Sequence, residues 1–147
     1  MFKRILVPTD GSEFAGKAVT LGIELARTHG ATLVALHVFP HLPGAQHSAA
    51  APFLKQHEGD YEAGQRDAAQ QILAAVAKDA AAAGVATEAV VIEAEDVYRQ
   101  ILRVADEHGC DLICMASHGR HGVAAIVLGS ETHKVLIHTH IPVLVVR

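Results

Sequence analysis

Residues 110 to 130 read Cys-Asp-Leu-Ile-Cys-Met-Ala-Ser-His-Gly-Arg-His-Gly-Val-Ala-Ala-Ile-Val-Leu-Gly-Ser. Asp111 to Ala116 is an almost unbroken apolar run, which suits a strand buried on both faces of a parallel sheet. Ser117, His118 and Gly119 break the run, and Gly122 follows at once. Gly129 stands directly before Ser130 and a short amphipathic stretch, Glu131 to His138. A buried strand therefore runs into a glycine-containing loop, and the loop into a helix start. Without side chains, Gly119 and Gly129 let backbone amides approach a ligand closely. Ser130 can cap the helix or offer its hydroxyl to a phosphate, and a helix N-terminus favours anions. The local reading is a phosphate cradle at the carboxyl end of a central strand.

The same alternation of strand and helix fills the chain. Lys3 to Pro8 reads as the first strand. Thr9-Asp10-Gly11-Ser12 turns it into a helix that Ser12 caps, with an apolar stripe at Ala15, Ala18, Val19, Gly22, Leu25 and Ala26 and a terminal Gly30. Thr32 to Phe39 is the second strand. Pro40 to Gly59 carries Pro40, Pro43, Gly44, Pro52 and Gly59 without a period, and reads as a long loop with a helical turn near Phe53 and Leu54. Asp60 to Ala83 reads as an alanine-rich helix with Tyr61, Ala68, Ile72, Val76 and Ala80 toward the sheet. Thr87 to Glu93 is the third strand, Asp96 to His108 the third helix, and Pro142 to Val146 the last strand.

Such alternation implies a doubly wound α/β fold with a five-stranded parallel sheet and helices on both faces. Right-handed crossovers restrict the strand order, and 3-2-1-4-5 opens a crevice between the first and fourth strands. Ligands of open α/β sheets bind at that switch point. The loops meeting there, Pro8 to Ser12 and Ala116 to Ser130, are the two richest in glycine, hydroxyl and charge, so pattern and topology select the same place.

Composition sets the outer limits. A chain of 147 residues is most simply one domain, 1–147. A domain of that size buries roughly 70% of its unfolded surface without a metal or disulfide staple. A net charge of −4 argues against a general nucleic-acid binder, which carries a basic stripe. Met1 to Pro8 reads as a strand and not as a signal peptide, and no apolar run approaches the ~20 residues of a membrane span. Cys110 and Cys114, four apart in one strand, are too distant to bridge each other; they read as core residues of a reducing compartment. The eleven histidines are densest at His133, His138 and His140, without a ligand set of zinc spacing, so no metal site is expected.

Two stretches together resemble the universal stress protein family, over the whole chain. One is Ile-Leu-Val-Pro-Thr-Asp-Gly-Ser, residues 5 to 12. The other is the glycine motif of the ATP-binding branch, G-x2-G-x9-G-[ST], followed by the final Pro-Val-Leu-Val-Val. Gly119, nine residues, Gly129 and Ser130 match the second half of the motif; its first glycine is replaced by Ala116. The resemblance implies a cytoplasmic adenine-nucleotide-binding protein with an adenine-nucleotide alpha-hydrolase-like fold. It implies ATP as the ligand, with Mg²⁺ bridging the phosphates, a homodimer, and a regulatory output to an unnamed protein partner. Position by position, Pro8, Thr9 and Asp10 would border the adenosine, with Val38 at the end of the second strand. Met115 and Ala116 would lie against the ribose. Gly119, Gly129 and Ser130 would surround the phosphates, with amides of Glu131 and Thr132 beside them. The exposed edge of the final strand, covered by antiparallel pairing with a second copy, is the expected dimer contact.

No catalytic residue is expected. The chain has no G-x-x-x-x-G-K-[ST], no G-x-S-x-G elbow and no kinase signature. No lysine or paired carboxylate is placed as an obvious general base. The rival reading is a nucleotide-free dimeric interaction module of the same fold, favoured by Ala116 and by the negative charge of Glu131 at the cradle.

Overall fold

The computed structural model describes residues 1–41, 51–118 and 128–147. The elements run β1 (Arg4–Pro8), α1 (Glu13–His29), β2 (Thr32–Phe39), α2 (Ala51–Ala82), β3 (Thr87–Glu93), α3 (Val97–Glu107), β4 (Leu112–Ala116), α4 (Ser130–His138) and β5 (Val143–Val146). All pairings are parallel, as the alternation implies, and the order is the expected β3-β2-β1-β4-β5.

Two cores follow from the period of two along each strand, which sends successive side chains to opposite faces. Ile5 and Val7, Leu33 and Ala35, Leu112 and Cys114 pack under α1 and α2. Leu6, Val34, Leu36, Ile113 and Met115 pack under α3 and α4. Burial on both faces is why β1, β2 and β4 read as nearly continuous apolar runs. Cys110 and Cys114 are buried free thiols, and desolvation pushes both up to about 11, which keeps them protonated and unreactive. The local signals act as expected at α1. Ser12 Oγ accepts from the Ala15 N–H at 3.2 Å, and Gly30 closes the helix in the left-handed conformation at φ 65°. No helix among the described residues is long and apolar enough to cross a membrane.

The second helix departs from the sequence reading. It begins at Ala51, so the C-terminal part of the expected loop is helical; positions 42–50 lie outside the described residues. Pro52 fits because it stands in the first turn, where its missing N–H has no intrahelical acceptor to lose. Gly59 lies in the helix interior at a propensity cost of about 1 kcal/mol, too little to break a helix of this length. The buried stripe also differs: Ala69, Leu73, Val76 and Ala80 face the core, while Ala68 is exposed. Steps of four, three and four hold one face at 3.6 residues per turn, whereas uniform steps of four drift around the helix. Helices of right-handed crossovers run antiparallel to the strands. The start of α2 therefore stands over the carboxyl edge of the sheet.

Candidate functional site

A cleft of about 560 Å³ opens at that carboxyl edge, between the ends of β1 and β4, a volume typical of small-molecule pockets. It lies at the switch point because α1 leaves β1 toward one face while α4 follows β4 on the other. Pro8, Thr9 and Asp10 line one wall, and Val38 lines it beyond them. Met115 and Ala116 form the opposite strand end, and Gly129, Ser130, Glu131 and Thr132 bring in the start of α4. Of the residues expected in the site, Gly119 lies outside the described residues.

The wall at β1 is held by a chain of short turns. The Thr9 N–H donates to the Leu36 carbonyl at 2.8 Å, which extends β1–β2 pairing past the strand. Thr9 Oγ1 accepts from the Gly11 N–H at 3.2 Å, and Asp10 Oδ1 accepts from the Ser12 N–H at 2.9 Å. This is the turn that aspartate side chains favour, and it fixes the carboxyl at the cleft. Buried His37 places Nδ1 2.9 Å from the Thr9 carbonyl oxygen. A carbonyl only accepts, so that nitrogen carries the proton.

The opposite wall is built on Ser117. Its N–H donates to the Val146 carbonyl at 2.7 Å, and its own carbonyl accepts from the Gly129 N–H at 2.8 Å. Thr132 Oγ1 donates to the Ala116 carbonyl at 3.0 Å, so a buried hydroxyl clamps α4 onto β4. The role of Gly129 differs from the expected one. Its amide is used by Ser117 and not offered to a ligand. Its φ of −59° and ψ of 148° suit any residue, but a Cβ there would lie 2.8 Å from the Ser117 carbonyl oxygen. Glycine is needed for this backbone-to-backbone approach. Gly129 is also the N-cap, without a side-chain hydrogen bond, and Ser130 is the first helical residue rather than the cap. The first intrahelical bond is from the His133 N–H to the Gly129 carbonyl at 2.9 Å. The amides of Ser130, Glu131 and Thr132 are thus the donors that a helix start leaves without an intrahelical acceptor.

Glu131, expected to repel an anion, has a structural task. Its Oε2 accepts from the Tyr98 N–H at 2.8 Å and its Oε1 from Lys134 Nζ at 2.8 Å. It therefore caps α3 from another helix, where Asp96 makes no side-chain cap. Ala116 is buried and paired in register with Val146, so its backbone is extended and a methyl is accommodated without strain. The cleft is open with that methyl in place.

The cleft is also lined by residues outside the sequence-derived set: His37 and Phe39 of β2, Tyr61 and Gln65 of α2, and Val97 and Ile101 of α3. Tyr61 and Gln65 are four apart, hence on one helical face, and that spacing was the available signal. Val97 and Ile101 carry the same spacing, but apolar residues at helical period read as core, which Ile101 also is. His118 also lines the cleft; its Nδ1 and Ser117 Oγ are 3.0 Å apart. Among the described residues, no three His, Cys, Asp or Glu side chains are grouped to hold a metal ion.

The universal stress protein family model matches residues 1–147. The chain is 32% identical to universal stress protein YxiE of Bacillus subtilis, over all of both chains. The solved structure of MJ0577, a universal stress protein of Methanocaldococcus jannaschii, superposes with a TM-score of 0.83 at 26% identity, covering 99% of this chain and 96% of that one. A universal stress protein solved in complex with cAMP has the same fold, with a TM-score of 0.69 at 24% identity, covering 99% of this chain and 97% of that one. The chain belongs to the universal stress protein family.

Proposed function

We propose that this member of the universal stress protein family is an adenine-nucleotide-binding regulatory protein whose ligand lies in the cleft between β1 and β4. Adenosine rests against Pro8, Thr9, Asp10 and Val38, with the ribose near Met115 and Ala116. The phosphates meet the amides of Ser130, Glu131 and Thr132. The observation that carries this reading is the coincidence of an open apolar cleft with three helix-start amides at its rim. The likeness to a protein solved with cAMP is consistent with it.

ATP is the proposed ligand, with Mg²⁺ on its phosphates. A cation on the phosphates would offset the charge that a triphosphate brings to a cleft lined by Asp10 and Glu131. The output is regulatory and not catalytic, exerted on a protein partner in the cytoplasm by a homodimer joined through β5. A nucleotide-free interaction module is the second reading, favoured by Glu131.

Thermal unfolding of the purified chain with and without ATP and Mg²⁺ tests the proposal. At a hundredfold excess over Kd, binding to the folded state adds about 2.7 kcal/mol and raises the Tm. Mass spectrometry of the denatured protein would show any co-purified adenine nucleotide. No Tm shift and no calorimetric heat at millimolar ATP with Mg²⁺ would leave the interaction module as the reading.

A further inference from the structure

Tyr61 and Gln65 stand one turn apart on α2 and line the cleft, both half-buried. Their turn is pinned over the end of β2, because the Arg66 guanidinium lies 5.6 Å from the ring centroid of buried Phe39. Val38, on the proposed adenosine wall, is the residue before that ring. Most other described polar side chains of the lining are engaged by the protein. Thr9 and Asp10 hold the turn into α1, and His37 meets the Thr9 carbonyl. His118 meets Ser117, while Glu131 and Thr132 tie α4 to α3 and β4. Ser130, exposed at the start of α4, makes no such bond, but it stands at the phosphate end. Among the described lining residues at the base end, the Tyr61 hydroxyl and the Gln65 amide are the polar groups without a hydrogen bond to the protein.

From this arrangement we infer that Gln65 reads the base and selects a 6-aminopurine. The inference rests on the adenine-nucleotide reading and names the side chain by which the base is told apart. A primary amide offers an acceptor and a donor side by side. Adenine offers the complementary pair, its 6-amino donor beside a ring-nitrogen acceptor, and glutamine bonds that pair in a bidentate contact. In a largely apolar cleft such a contact discriminates by what is left unpaired. A purine without the 6-amino group leaves Gln65 Oε1 facing carbon in place of a donor. Tyr61, one turn earlier on the same face, adds an aromatic surface for the base to pack against.

The test is calorimetric titration of the full chain with AMP and with purine riboside 5′-monophosphate, which differs from AMP only in lacking the 6-amino group. The titrations are made on the natural sequence, on Gln65→Leu and on Tyr61→Phe. Leucine keeps the bulk and the helix propensity of glutamine and removes both hydrogen-bonding atoms, so α2 is retained. The natural sequence is expected to prefer AMP by roughly tenfold. Gln65→Leu is expected to shrink that preference by roughly fivefold, the loss falling mainly on AMP. Tyr61→Phe removes the other unengaged polar group and should leave the preference as it is. A preference for AMP that is the same in Gln65→Leu as in the natural sequence, whatever the absolute affinities, would overturn the inference. So would equal binding of the two ligands by the natural sequence, or a preference lost in Tyr61→Phe and kept in Gln65→Leu. In all three cases AMP binding would leave the adenine-nucleotide reading standing. Absence of binding by both ligands to the natural sequence would remove that reading, and this inference with it.

Discussion

Gly129→Ala would place a methyl carbon 2.8 Å from the Ser117 carbonyl oxygen, 3.5 Å from the His118 Cα and 3.7 Å from the Ser117 carbonyl carbon. The backbone angles at 129 are open to alanine, so the substitution carries no conformational penalty. By itself, alanine would stabilise the chain by about 0.4–1 kcal/mol through reduced freedom of the unfolded state. Against that stands a clash with main chain that has little room to yield. Ser117 is buried, its N–H is bonded to Val146, and the clashing oxygen is the one that accepts the Gly129 N–H. Overpacking of this kind costs about 1–3 kcal/mol, and stretching the hydrogen bond adds about 1 kcal/mol. The net expectation is destabilisation by about 1–3 kcal/mol after the entropy gain. Nucleotide affinity should fall with it, because the start of α4 must move. Urea unfolding measures the first effect, read as a lower midpoint at unchanged slope. Gly64→Ala is the control. It is exposed in α2 with nothing within 4 Å of an added Cβ, and should stabilise the chain by roughly 0.5–1 kcal/mol. If Gly129→Ala unfolds at or above the natural midpoint while Gly64→Ala gains stability, the close approach of Ser117 and Gly129 is refuted.

Three further outcomes are expected. Because Ala116 is extended and its methyl is already accommodated, Ala116→Gly should tighten ATP by less than about tenfold, or ~1.4 kcal/mol, and Ala116→Val should block binding; a switch from no binding to clear binding on Ala116→Gly would mean that the natural pocket is closed. Val145→Pro removes an amide from the edge strand β5 and should convert a homodimer to monomer by light scattering at micromolar concentration; an unchanged dimer mass would place the contact elsewhere. At the amino edge of the sheet, hydrogen bonds from Arg4 at 2.6 Å and then from His108 at 2.9 Å hold the Glu88 carboxyl below its ordinary range. A lowered folded value contributes stability above the ordinary carboxylate pKa and loses it as pH falls through the lowered value. Since these groups are partly exposed, Glu88→Gln should cost less than about 1 kcal/mol at neutral pH. The difference should vanish in acid, and one that persists unchanged to the lowest pH would show that the cost is not ionic.

The order of elements, the parallel sheet and the location of the cleft are legible in the amino-acid sequence. These depend on periodicity and punctuation that are local in the chain. The apolar runs of Thr32–Phe39 and Thr87–Glu93 are strands because their composition suits burial, and Ser12 and Gly30 bound α1 by their own chemistry. Right-handed crossovers then placed Asp10 and Ser130 at one crevice. Local signals misread α2, because Pro52 and Gly59 count as breakers wherever they stand, whereas their cost depends on position within a helix. What touches what across the chain depends on how the elements pack. Gly129 is glycine because of Ser117, twelve positions earlier, and Glu131 is bonded to Tyr98, thirty-three positions earlier. Tyr61 and Gln65 join the cleft because α2 runs past the carboxyl edge of the sheet. The contacts of Gly129 and Glu131 leave no periodic mark, since each depends on how two packed elements meet and not on the pattern within either one.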